Sequence, residues 1–305
     1  MSSNSVALLV PIYNAERFLA RLADQVAAQS RPFDEVILYD DASTDRTCAR
    51  ASELAETFGW TIIAGQKNKG PGGARNRLAA SATSEWIHFH DVDDELDADY
   101  LEAVLPCLGE EVDCLFHDVA FIDEVTREPI IDFKFRPCKS DEVDETLLKY
   151  PMGCWGSVIR RASFDRIGGF SEEHRCFEDG DLHFRLALET SRIVSLPRVL
   201  SKSLRHNEGV SFNQKHCAEC RLEFLKSYLS ISPSRLHDAL GEEFEKIANS
   251  LVQYRNVDAA RSAIQFANSL GRNVPTTKSK YLRLLAAFLP ATMSLQIQHW
   301  IRTRQ

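Results

Sequence analysis

The first ninety residues alternate short apolar runs with amphipathic stretches, and each apolar run ends in a polar cluster. Val6–Val10, Glu35–Tyr39, Trp60–Ala64 and Trp86–His90 have the length and apolar content of buried strands. Three helical patterns lie between them. The stretch from Asn14 to about Gln29 spaces Phe18, Leu19, Leu22 and Val26 on one face. Ser43-Thr-Asp45 caps a second helix through about Thr57, and Gly70-Pro-Gly-Gly leads into a third that ends near Ala82. Strands joined by helices through short loops predict right-handed crossovers and a mainly parallel sheet with helices on both faces. The expected class is therefore α/β.

In such sheets, ligands bind outside the carboxyl ends of the strands. Four polar clusters fall there: Pro11-Ile-Tyr13-Asn14, Asp40-Asp41-Ala-Ser43-Thr-Asp45, Asn68-Lys-Gly70-Pro-Gly-Gly-Ala-Arg75-Asn76 and Asp91-Val-Asp93-Asp94. One polar loop would mean little, because loops and caps are polar anyway. Four at successive strand ends point to one crevice. The stretch 91–102 holds seven acidic residues. Adjacent carboxylates repel unless a cation sits among them. Mg²⁺ or Mn²⁺ fits that need, with one or two carboxylates and diphosphate oxygens as ligands. A helix cap at Asp97 with a solvated acidic face accounts for Glu95 to Glu102 but not for Asp91 and Asp93, which directly follow a strand. The glycine turn allows an anion to approach a helix N-terminus. Arg75 is expected in the first helical turn, where a cation opposes the helix dipole and invites an anionic or carbonyl partner. His88 and His90 alternate with apolar neighbours and read as core or supporting groups.

Further along, 112–135 is strand-like, Trp155 to about Arg166 reads as strand then helix, and Glu178–Glu189 reads as a helix. Arg192–Leu196 and Val199–Leu204 read as two short strands. After about Phe212 the patterning turns helical, which divides the chain into a site-bearing domain, 1–212, and a smaller C-terminal helical region, 213–305. The 36 basic and 44 acidic residues give a net charge of −8, so nucleic acid is not an expected partner. Cys217-x-x-Cys220 has no second pair to complete a zinc site. The longest apolar run near the C-terminus, Leu284–Pro290, is too short to span a bilayer. No basic leader segment opens the chain, so a cytoplasmic location is expected. The stretch 271–305 carries six basic residues and no acidic one. With Leu282, Leu285, Phe288 and Leu289 at helical spacing, 276–305 suits an anionic membrane surface. The alternative is packing onto the first domain or onto a second subunit of a homodimer.

Several strings in fixed order resemble family 2 glycosyltransferases over about residues 5 to 212. They are Val10-Pro-Ile-Tyr-Asn14, Asp40-Asp-Ala-Ser-Thr-Asp45, Asn68-x-Gly70 with Ala74-Arg-Asn76, Asp91-Val-Asp-Asp94, Gly168-Gly-Phe-Ser-Glu172, and Glu178-Asp179 with Arg185. The resemblance implies the GT-A fold and inverting transfer of one sugar from a nucleotide-sugar donor, a UDP-sugar foremost. It implies a hydroxyl acceptor on a carbohydrate, a lipid-linked glycan or a protein-linked glycan, as in bacterial surface polysaccharide synthesis. By the same resemblance, Pro11 and Tyr13 would line the nucleotide pocket, Asp41 would accept from the uracil ring nitrogen, and Arg75 would reach the same base. Asp91 would approach the ribose, Asp93 would hold the metal together with Asp91, and Arg205 and His206 would touch diphosphate or metal. Asp179 would be the catalytic base.

Departures from the family pattern also carry expectations. Ala42 stands where the family usually has Gly. Gly180 stands where a larger residue is common, which would leave room for the acceptor. No Q-x-x-R-W follows Asp181, which argues against a processive synthase. A nucleotidyltransferase is disfavoured because Pro-Ile-Tyr-Asn replaces the glycine-rich basic loop it needs. A non-catalytic nucleotide-sugar-binding subunit is disfavoured by the presence of Asp93 and Asp179.

Overall fold

Val6–Ile12 (β1) is apolar at nearly every position, and the reason is that both its faces are covered. Ala7 and Leu9 face a core with Ile37, Leu78 and Ile87. Val6, Leu8 and Val10 face a second core with Leu19, Leu22 and Trp86. β1 pairs in parallel with Glu35–Asp40 (β2) and Trp86–Phe89 (β4), and β2 pairs in parallel with Thr61–Ala64 (β3). The linking helices are Leu19–Ala27 (α1), Thr47–Phe58 (α2) and Gly70–Ser81 (α3). α3 packs on the first core, while α1 and α2 pack on the second. This computed structural model describes residues 4–135, 142–172, 176–205 and 213–272. The chain forms two units, 1–208 and 209–305.

Beyond β4 the sheet becomes mixed. Tyr100–Val104 (α4) precedes Cys114–Asp123 (β6), which turns into the hairpin strand Pro129–Phe133 (β7). Val143–Lys149 (α5) leads to Ser157–Arg160 (β8), which lies antiparallel between β4 and β6. Arg161–Arg166 (α6) and Glu178–Glu189 (α7) follow. Ile193–Arg205 (β9) then pairs in parallel with β6, and its other edge carries Glu95–Leu96 (β5). The order is β3-β2-β1-β4-β8-β6-β9-β5, with β7 on β6.

Three expectations are corrected here. β9 is continuous where the sequence suggests two strands: Pro197 offers no N–H to the ladder, and the pairing slips near His117–Val119 instead of ending. The acidic stretch after Asp94 is not only a helix cap, since Glu95 and Leu96 pair with Lys202 and Ser201. Of the capping stretch Ser43-Thr-Asp45 it is Asp45 whose Oδ1 accepts from the N–H of Thr47, the first residue of α2, at 2.9 Å, while Ser43 Oγ accepts from Asn14 N–H and the preceding Ala42 sits at φ +62. That is a left-handed conformation, which costs alanine more than it costs glycine or asparagine.

The second unit is helical, with Gln214–Tyr228 (α8), His237–Gln253 (α9) and Val257–Ser269 (α10). Ser232-Pro-Ser falls between α8 and α9, as the pattern predicts. Leu222, Leu225, Leu240, Phe244 and Leu251 form buried faces, and Arg221 pairs with Glu243 at 2.9 Å. The segment 276–305 lies outside the described residues. Among the described residues, no helix is long and apolar enough to cross a membrane.

Among its described residues, the first unit buries four histidines: His88, His90, His117 and His183. The Tyr100 hydroxyl and the Ser157 carbonyl both lie 2.9 Å from His88 Nδ1. Burial pushes His90, His117 and His183 down to about 4, and His88 well below its ordinary value. These rings are neutral in the fold where the unfolded chain would charge them. Between about pH 6.5 and 4 the unfolded state therefore takes up more protons through histidine, so stability rises with pH there. Glu178, raised to about 7, and Asp94, also raised, act in the opposite direction. Four histidines against two carboxyls leave a net excess on the unfolded side. Each net proton is worth about 1.4 kcal/mol per pH unit. The urea midpoint is therefore expected to fall on going from pH 7 to pH 5. An equal or higher midpoint at pH 5 would contradict the balance.

Candidate active site

The four polar clusters follow the ends of β1, β2, β3 and β4, and their side chains tie them together. Asn14 sits at φ +47, which its short amide tolerates. Its Oδ1 accepts from the Thr44 N–H at 2.8 Å, and its own N–H donates to Ser43 Oγ at 2.9 Å. Thr47 Oγ1 accepts from the Ala15 N–H at 2.7 Å. The first two loops are thereby fixed, Pro11 is part of β1 beside Tyr39, and Tyr13 is left 49% exposed.

Asp41 links the second loop to the third. It is buried, and its carboxylate accepts from the backbone N–H groups of Lys69 and Gly70 at 2.8–3.0 Å. It therefore satisfies donors at the start of α3, where a carboxylate is favoured. The residue expected at a uracil ring is engaged in holding the glycine turn.

Arg75 lies in the second turn of α3, not the first, and carboxylates rather than the helix dipole fix its environment. It is 4% exposed. Nη1 donates to Glu178 Oε1 at 2.8 Å and Asp179 Oδ1 at 3.1 Å, and Nη2 donates to Asp91 Oδ1 at 2.7 Å. The Phe170 ring centre is 5.5 Å from the guanidinium carbon. Nε has no acceptor among the described residues. Burial opposes the charged form, but Cys154, Asp179, Asp91 and Glu178 together raise the Arg75 pKa well above its ordinary value. Glu178 is pushed up to about 7 by burial and by Asp179, with Arg75 pulling the other way.

The acidic loop after β4 is held through its backbone. Arg21 donates to the Asp93 carbonyl, Gln25 to the Asp94 carbonyl at 3.3 Å, and Gln29 to the Asp97 carbonyl at 2.8 Å. The Leu96 N–H donates to Gln25 Oε1 at 2.7 Å. These bonds fix the loop without consuming carboxylates. Asp94 is the exception: it is buried, and its Oδ1 accepts from the Leu204 N–H at 2.9 Å. Burial, with Asp91 and Asp93 beside it, raises its pKa well above the usual carboxyl range. Asp94 thus anchors β9, while Asp91 and Asp93 remain partly exposed. Two hard oxygen donors beside a diphosphate suit Mg²⁺ or Mn²⁺, so the residues fit the ion the sequence calls for. Arg205 ends β9 with its guanidinium 4.1 Å from the centre of the Phe121 ring. His206 lies outside the described residues.

Other motif residues are braces. Asn76 Oδ1 accepts from the Phe170 N–H at 2.8 Å, and Asn76 Nδ2 donates to the Phe170 carbonyl at 2.9 Å. Gly169 adopts φ +68 there, and a Cβ on it would come within 2.6 Å of Asn76 Oδ1. Arg185 donates to the Ile167 and Gly169 carbonyls, each at 2.7 Å, and to Asp181. Together these fix α3 against α7. Gly180 does not open space for an acceptor: a Cβ there would meet the Phe177 ring at 2.8 Å and Pro151 at 3.1 Å. Glu178 and the buried Cys154 thiol belong to the Arg75 cluster. The Glu-Asp pair pointed to Glu178, whereas no pattern marks Cys154. Replacing Asn76 by Ala removes both bonds to Phe170 and is expected to destabilise the protein by about 1–3 kcal/mol. Chemical denaturation measures this, and an unchanged midpoint would exclude the brace.

A family model described as Glycosyl transferase family 2 matches residues 7–168. The putative glycosyltransferase EpsH of Bacillus subtilis is 32% identical over 120 residues, which cover 39% of this chain and 35% of that protein. The chain thus spans about a third of that relative's length. The structure of S. aureus TarS 1-349 in complex with UDP-GlcNAc superposes with a TM-score of 0.67 at 18% identity, covering 97% of this chain and 89% of the other. The mannosyltransferase PcManGT from Pyrobaculum calidifontis, in complex with GDP-Man and Mn²⁺, gives 0.59 at 18% identity, covering 96% and 83%. These two likenesses establish a shared GT-A fold.

Proposed function

Since the chain belongs to glycosyl transferase family 2, we propose that it is an inverting, metal-dependent, non-processive glycosyltransferase. It would move one sugar from a nucleoside-diphosphate sugar to a hydroxyl on a growing surface glycan. The observation that carries this reading is the pairing of Asp179 and Asp91 on one buried arginine, which sets an acid at the start of α7 beside the carboxylates that follow β4. In this reading the exposed Tyr13 ring covers the nucleotide base, Asp91 receives the ribose, and Asp93 with Asp91 holds Mg²⁺ or Mn²⁺. The ion, when bound, offsets the negative charge of the diphosphate. A UDP-sugar is the preferred donor, supported by the neighbour whose structure contains UDP-GlcNAc.

Asp179 takes the proton from the acceptor hydroxyl. The hydroxyl oxygen then bonds to the anomeric carbon as the bond to the diphosphate breaks on the opposite face. A single displacement inverts the anomeric configuration, so an α-linked donor gives a β-linked product.

Asp179→Asn is expected to lower turnover by roughly 10²–10⁴ while UDP affinity persists, as for loss of a general base. Turnover close to that of the parent enzyme would reject Asp179 as the base. A binding subunit without catalysis would instead bind a UDP-sugar and release no UDP from it under any acceptor. Asp93→Ala is expected to remove the metal dependence of UDP binding, measured by calorimetry with Mn²⁺ and with chelator. Binding that is equally tight in chelator for the parent protein would show that no ion takes part. UDP should raise the melting temperature more than GDP, by ligand linkage. A larger shift with GDP would overturn the UDP assignment.

A further inference from the structure

We infer that Arg75 is a positioning residue that fixes the base Asp179 and the donor-side carboxylate Asp91 in one geometry, so that donor site and base are set together. The inference rests on the reading of Asp179 as the base. Three carboxylates from distant parts of the chain converge on this one side chain. Asp91 follows β4, and Glu178 and Asp179 open α7. A guanidinium is planar, so the angle between its two terminal nitrogens also sets the angle between the groups they hold. Nη1 holds Glu178 and Asp179, while Nη2 holds Asp91.

The oxygens divide in a way that suits this role. Asp179 gives Oδ1 to Arg75, and its Oδ2 accepts no hydrogen bond among the described residues. Asp91 likewise gives Oδ1, and its Oδ2 accepts none. Each carboxylate is anchored by one oxygen and presents the other. Both keep contact with solvent, with side chains 21% and 28% exposed against 5% for Arg75. The anchor itself is rigid. Asp41 holds the start of α3 through Lys69 and Gly70, and Asn76, the next residue after Arg75, is bonded twice to Phe170. Ion pairs made to a buried cation are less screened by salt than surface pairs, and the arrangement is present with no ligand bound. Glu178 shares Nη1 with the base and limits where Asp179 can swing.

A double-mutant cycle on kcat tests this. Arg75→Lys keeps the charge but lacks the two terminal nitrogens needed to span the carboxylates. It is expected to lower kcat by about 10–100-fold with saturating donor, and to cost less than about threefold in the Asp179→Asn background, because residues acting as a unit are non-additive. A purely structural role would lower both backgrounds by the same factor, and that result would overturn the inference. An Asp179→Asn variant that keeps its turnover would instead reject the reading of the base, so the two failures are distinct. If Arg75→Lys does not fold, judged by circular dichroism and melting, Glu178→Ala replaces it in the same cycle. That change loosens Nη1 and is expected to cost about 3–10-fold in the parent and less than about twofold with Asn at 179. Equal losses in the two backgrounds would again overturn the proposal.

Discussion

One buried guanidinium with three carboxylates around it is the constraint on which the site depends. An arginine at 4% exposure would be costly alone, and so would any of its acidic partners. The cluster is tolerated because each charge has an opposite neighbour at hydrogen-bond distance. The acids still outnumber the base, and Glu178, pushed first by its burial and then by Asp179, has its pKa raised to about 7. Removing Arg75 would leave three neighbouring carboxylates without their shared cation, so α3, α7 and the loop after β4 are joined through that one side chain.

Backbone pairing alone would not bring these pieces into register. Parallel strands place four loops at one edge of the sheet, but a loop can lie in many ways. Specific side chains remove that freedom: Asn14 and Ser43 join loops one and two, Asp41 joins two and three, and Arg75 joins α3 to loop four. α1 then clamps loop four through its carbonyls with Arg21, Gln25 and Gln29. Most of the polar residues at the strand ends are consumed by this bracing. Tyr13 is left largely exposed, and Asp91 and Asp179 each keep one oxygen outside the bracing.

The parallel half of the sheet was legible because β1 is covered on both faces and reads as an uninterrupted apolar run. α1 and α2 each bury a single stripe, whereas α3 was legible from its Gly70-Pro-Gly-Gly start, since it buries residues on more than one side. β5 was not legible: two residues carry no period, and the acidic composition around them suggests a solvated cap. The continuity of β9 was hidden by Pro197, which normally ends a ladder but here causes only a slip against β6. Among site residues, sequence order marked Arg75, Asp91 and Asp179 correctly as one neighbourhood. It could not show that Arg75 faces the other two, since the contact to Asp179 spans 104 positions. Asp41 and Asn76 were singled out by motif, yet a motif does not distinguish a residue that touches a ligand from one that holds the loop that does. Their hydrogen-bond partners show that Asp41 holds the glycine turn and Asn76 holds the loop at Phe170.

The charge balance of the site also bears on the order of its chemistry. Asp91, Asp93, Asp94, Glu178 and Asp179 lie in one region, with Arg21, Arg75 and Arg205 among the cations around them. A nucleoside diphosphate is itself anionic, so a donor approaching this region alone would meet net repulsion. The protein limits that repulsion in two places. Asp94 and Glu178 shift toward their neutral forms, one bonded to Leu204 and the other to Arg75. On the proposed reading, a divalent cation completes the balance at Asp91 and Asp93, so metal and nucleotide favour one another's binding. Asp179 is tied to the same arginine as Asp91, and its Coulomb environment follows the charge on the donor side. On the proposed reading, the single guanidinium then joins the donor side to the base by position, since one planar group holds both carboxylates.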